Sequence, residues 1–180
     1  MKRIFATARM TACALAASTL WLLAGCSGEQ SKPSSFALTE EGIKTLSPKI
    51  AKVVVTPQVD GPESRVEIEL NSDPNLGGKG EWNSLAQDSH SMFTRLLAKP
   101  EVSRVFIKVV SPANKNLHWA RVSVDRSKLP SDWQNLTYLQ FFAHTNPMAG
   151  TLQTGQWLCE FYAAYQSAQP PGGLPRNCKG

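Results

Sequence analysis

Trp82-Asn83-Ser84-Leu85-Ala86-Gln87-Asp88-Ser89-His90-Ser91-Met92-Phe93-Thr94-Arg95-Leu96-Leu97 is the stretch on which the architecture turns. Trp82, Leu85, Ser89, Met92, Phe93, Leu96 and Leu97 recur at the spacing of one helical face, and Pro100 marks the end of the pattern. A helix with one dry stripe must cover something, and its flanks supply strands. On the N-terminal side Ala51 to Pro57 is β-branched and closed by proline, and Arg65 to Leu70 alternates Val66, Ile68 and Leu70 with Glu67 and Glu69. The turn formers between them suit a hairpin. On the C-terminal side Val102 to Val110 places Val105, Ile107 and Val109 on one face. After a turn over Ser111 to Asn116, Leu117 to Asp125 sends Ala120, Val122 and Val124 inward and Trp119, Arg121, Ser123 and Asp125 outward. Strand, strand, helix, strand, strand predicts an α+β fold: a two-layer sheet of about four strands with the amphipathic helix on one face.

Beyond Pro130 the aromatics crowd. Trp133, Leu136, Leu139 and Phe142, then Trp157, Leu158, Phe161, Tyr162 and Tyr165, predict two short helices in search of a surface. The expected surface is the second face of the sheet, where Phe106 and Trp119 project among Glu67, Glu69, Lys108 and Arg121. Under complete cover Phe106, Trp119 and Arg121 belong to the core; left open, they are candidate partner-binding residues. Pro170, Pro171, Gly172, Gly173 and Pro175 preclude regular structure before Cys178, so the tail reads as a strap.

The N-terminus carries a different message. Lys2, Arg3 and Arg9 form a basic region, and the sixteen residues Met10 to Gly25 are uncharged, too few for a membrane span of about 20. The leader ends in Leu23-Ala24-Gly25-Cys26. It resembles that of bacterial lipoprotein precursors, a resemblance confined to this segment. It implies cleavage before Cys26, acylation of the Cys26 thiol, and a domain order of signal peptide (1–25), acylated cysteine with flexible tether (26–35) and single periplasmic α+β domain (36–180). The plainer alternative is an ordinary secretory signal with Cys26 a stray thiol. Ser27 in place of an aspartate implies, by the same resemblance, an outer-membrane rather than inner-membrane destination. The polar tether reaches about 30 Å when extended.

Removing the leader lowers the balance of basic to acidic residues from 19 against 14 to 16 against 14, or +2. A charge that small gives no footprint of a nucleic-acid binder. Processing also takes Cys13 away and commits Cys26, which leaves Cys159 and Cys178 as an even pair for a disulfide in an oxidising compartment.

Candidate chemistry is sparse. His90, His118 and His144 lie 28 and 26 residues apart without paired metal-ligand spacing, so no metal site is expected. Asp88-Ser89-His90-Ser91 holds the residue types of a nucleophile and base, but successive helical positions diverge by about 100°. Cys159 invites comparison with the helix-borne nucleophiles of cell-wall peptidases, yet those need a later histidine and none follows residue 144. Gly77-Gly78-Lys79-Gly80 precedes the helix, where amides can hold an anion or a partner contact, but it lacks the P-loop spacing. Asn135-Leu136-Thr137 matches a glycosylation acceptor, for which a bacterial lipoprotein has little use.

The expectation is therefore a non-catalytic envelope lipoprotein without cofactor. It binds a protein partner as an accessory or assembly component of a periplasmic or outer-membrane complex, such as a secretion or conjugative transfer apparatus. An immunity or inhibitor lipoprotein, using the loop Asn71 to Gly80 against a hydrolase, is the alternative. An enzyme acting on peptidoglycan or lipid is disfavoured.

Overall fold

Five strands in the order β1-β2-β3-β4-β5 make one mixed sheet. The computed structural model describes residues 35–58, 63–72, 78–110 and 118–178; the leader, Cys26, nearly all of the tether, Gly77 and the turn at 111–116 lie outside them. The elements are α1 (Glu40–Lys44), β1 (Ile50–Pro57), β2 (Ser64–Asn71), α2 (Lys79–Leu97), β3 (Val102–Val110), β4 (His118–Asp125), α3 (Tyr138–Phe142), β5 (Asn146–Ala149) and α4 (Leu152–Ala164). β1–β2, β3–β4 and β4–β5 pair antiparallel, and β2–β3 pair parallel through the α2 crossover. Among the described residues no helix is long and apolar enough to cross a membrane.

The inner face of the sheet is the alternating apolar set foreseen from the sequence: Val66, Ile68 and Leu70, then Val105, Ile107 and Val109, then Ala120, Val122 and Val124, all buried. The α2 stripe from Trp82 to Leu97 lies against them and is buried along its whole length. The end of α2 has a specific device. The Arg126 guanidinium donates to the carbonyl of Leu97 (2.6 Å), one of those a helix end leaves without partners, and to the carbonyls of Lys99 and Pro100 just beyond it.

Two expectations about faces are overturned. The C-terminal helices do not cover the second face of the sheet; α3 and α4 pack beside α2 on the same side. Phe141 stacks on Phe93 at 5.9 Å, and Phe142 sits edge-on to Trp82 at 6.3 Å and to Phe161 at 5.2 Å. Five strands about 4.8 Å apart span roughly 20 Å, about twice the width of a helix, so α2 alone cannot fill the inner face. The opposite face carries charged side chains, which apolar helices would strip of water without supplying partners.

Trp119 is the second correction. Strict alternation sends it outward, but the β3–β4 register slips between Val109↔Ala120 and Val110↔His118, so Trp119 has no partner in the ladder. The bulge turns its indole to the inner side, edge-on to Trp82 with ring centroids 5.7 Å apart. Gly150 makes this corner feasible: its N–H donates to the Trp119 carbonyl at 2.7 Å, and a Cβ there would stand 1.9 Å from the His118 carbonyl oxygen.

Thr137 and Thr151 start α3 and α4 with capping boxes closed by Gln140 and Thr154. The final strap is tied back to α4 by the Cys159–Cys178 disulfide, with Cα atoms 5.1 Å apart. Closing that loop should contribute roughly 3 kcal/mol in the chain-entropy model. Cys159→Ser with Cys178→Ser is expected to lower the guanidinium unfolding free energy by about that amount; a loss under about 1 kcal/mol in the double variant would show that the strap is held without the bond.

Candidate functional site

The face turned away from the helices is a lattice of charged and polar side chains in cross-strand register. One row runs Thr56, Arg65, Arg104, Asp125; the next Val54, Glu67, Phe106, Ser123, Asn146; the third Lys52, Glu69, Lys108, Arg121, Met148. Period-2 alternation produces this lattice, because the residues between the inward valines and isoleucines are charged or polar. These side chains remain partly or fully exposed, Val54 by 42 % and Met148 by 46 %.

Ion pairs tie the rows together. Arg65 donates to Glu67 at 2.8 Å, Lys108 donates to the other Glu67 oxygen, and Arg104 pairs with Asp125. The Lys108 ammonium above all holds the Glu67 carboxyl below its usual range; burial opposes it, and Arg65 adds to the lowering. Burial pushes the Asp125 carboxyl up, but hydrogen bonds from Arg104 and Ser127 outweigh it and leave the group below the ordinary value. The Arg65 guanidinium lies over the Phe106 ring, 4.1 Å from its centroid. Phe106 is thus half-buried by its charged neighbours while remaining on the open face.

The residues singled out from the sequence do not converge. Arg121 is on the open face beside Met148, toward whose thioether sulfur it donates. Trp119 lies on the inner side, 9 % exposed. Gly78 forms the N-cap of α2 with φ of 66°, a backbone position that favours glycine, and Lys79 is the first helical residue.

The histidines also stand apart in function. His90 packs edge-on to Phe141 at 5.2 Å, and burial lowers its pKa. His118 opens β4, and His144 borders a hollow with Arg104 and Phe106. Among the described residues no three His, Cys, Asp or Glu side chains are grouped to hold a metal ion. Asp88 accepts from Lys49 at 2.7 Å, while Ser89 donates to the Ala86 carbonyl within its own helix. The neighbouring serine and histidine therefore do not act on one another.

Where β2 and β3 end, a cavity of about 30 Å³ lies among Lys49, Ser72, Ser84, Asp88 and Trp119. Both Ser72 Oγ and Trp119 Nε1 are shielded there without a partner among the described residues. Space on that scale takes a water or two and no metabolite.

More room lies at the same end of β4, toward β5. A hollow of about 210 Å³ is lined by Lys108, His118, Arg121, Met148 and Gly150, and a wider one of about 700 Å³ lies between β5 and α4 beside Leu152, itself 83 % exposed. Sequence reasoning did not find this region. Asn146-Pro147-Met148-Ala149 is too short for a periodic signal, and proline argues against a strand except at an edge. The available clue was Gly150, a glycine where two backbones meet. No protein-family model, curated protein sequence or solved structure matches this chain, so the functional reading rests on its own residues.

Proposed function

We propose that this chain is a membrane-anchored envelope lipoprotein that binds a protein partner without catalysing a reaction. It would serve as an accessory or assembly component of a periplasmic or outer-membrane complex, such as a secretion or conjugative transfer apparatus. The observation that carries the reading is the leader ending in Leu23-Ala24-Gly25-Cys26 followed by a polar tether. A sheet face and edge left open to solvent, with Met148 and Leu152 exposed beside charged residues, support protein binding at the end of that tether.

Affinity purification of the lipidated protein from detergent-solubilised envelopes should retain one envelope protein in fixed stoichiometry. A photo-crosslinker at position 148 should join to the same protein. Recovery of the chain alone, with no crosslink and with release of fragments from peptidoglycan or phospholipid, would replace this reading by an enzymatic one.

A further inference from the structure

We infer that the hollow at the β4–β5 edge of the open face recognises a carboxylate, and that its occupant is an acidic segment of a protein partner. The inference rests on the protein-binding reading above and names the place and chemistry of contact. In the row Lys52, Glu69, Lys108, Arg121, Met148 the signs alternate across the first three strands and then fail to. Lys108 and Arg121 stand directly opposite one another on antiparallel strands, an arrangement that costs stability. Glu67 does not relieve it, because that single carboxylate already serves both Lys108 and Arg65. Arg121 donates to the Met148 sulfur, a weak acceptor, and has no carboxylate partner among the described residues. His118, on the wall of the same hollow, has an imidazole Nδ1 shielded from solvent without a partner among the described residues.

One incoming carboxylate answers the charge imbalance at Lys108 and Arg121. It takes a two-pronged hydrogen bond from the guanidinium and relieves the Lys108–Arg121 repulsion. The surroundings choose a peptide over a free anion. Met148 and Leu152 form an exposed apolar shelf continuous with the wider hollow toward α4, which a small anion leaves bare and a segment mixing acidic and apolar residues covers. Pro147 has no N–H to offer at this edge, so recognition falls to side chains rather than to an added strand.

The test uses the full lipidated protein in detergent micelles and a fluorescent peptide of alternating glutamate and leucine. Its glutamine–leucine counterpart, inorganic phosphate and phosphatidylglycerol vesicles serve as competitors. The acidic peptide should bind, and Arg121→Gln should weaken it about tenfold or more while leaving the melting temperature unchanged or raised; Lys52→Gln, at the far end of the row, should change binding less than about twofold. Equal binding of the glutamine peptide, unchanged binding by Arg121→Gln, or full displacement by millimolar phosphate or by the vesicles would overturn the inference. If the envelope partner is still captured as well by Arg121→Gln, this site is wrong while the protein-binding reading stands; loss of capture from wild type as well removes both.

Discussion

Trp82→Ala is expected to destabilise the domain by about 3 to 5 kcal/mol, a large share of the roughly 5 to 15 kcal/mol that holds a domain together. Trp82 has no exposed surface and lies where three elements meet, edge-on to Trp119 of β4 and to Phe142 of α3. Its indole N–H also donates to the Thr154 carbonyl at 2.9 Å, tying α2 to the first turn of α4. Truncation removes the hydrogen bond and leaves an indole-sized void whose walls belong to different elements and cannot close together. For a domain of this size the loss corresponds to a fall in melting temperature of about 10 to 15 °C by circular dichroism. Trp82→Phe should recover part of it, because packing returns without the hydrogen bond. Trp119→Ala should cost somewhat less, since Trp119 Nε1 has no partner among the described residues to lose. A drop under about 3 °C for Trp82→Ala would mean that the helical layer is not organised around this residue.

Cys26→Ser is expected to abolish acylation outright. A serine hydroxyl lacks the thiolate nucleophilicity that thioether formation requires, so neither acylation nor the cleavage that follows it should occur. A pair of acyl chains, at about 0.8 kcal/mol per buried CH₂, makes the difference between stable anchoring and marginal, reversible binding. Metabolic labelling with palmitate should therefore mark the wild-type chain and not the variant. In flotation gradients the wild type should rise with membranes, and the variant should not partition through an acyl anchor. An unlabelled wild-type chain, or a Cys26→Ser chain that still takes up palmitate, would leave the lipoprotein reading without support. Such a result would not touch the packing around Trp82, which belongs to a different part of the sequence.

Elements with a strong period were legible at once. β2, β3 and most of β4 follow alternation, α2 follows its apolar stripe, and the observed bounds differ from the expected ones by at most three residues. The cysteine pair was legible by count, and the structure joins it. Short elements without a period were not legible. α1 is five residues long and depends on the Thr39 cap and on burial of Ile43, while β5 is four residues long, contains Pro147, and exists because β4 offers it a ladder.

The candidate site shows the same division. Lys108 and Arg121 were visible as outward-facing charges on separate strands. Their direct opposition, the lack of a carboxylate for Arg121 among the described residues, and Met148 completing the row all follow from register, in part with a strand that the sequence concealed.

By itself, then, the sequence determined which of the long periodic segments become strands and helix, which side of each is dry apart from Trp119, and that two cysteines remain to pair, because each of these is set by local periodicity or by simple count. Tertiary structure alone decided which face the C-terminal helices cover and to which side Trp119 turns. The first depends on the width of a completed sheet, and the second on a one-residue slip between two strands, and neither quantity exists until the strands have met.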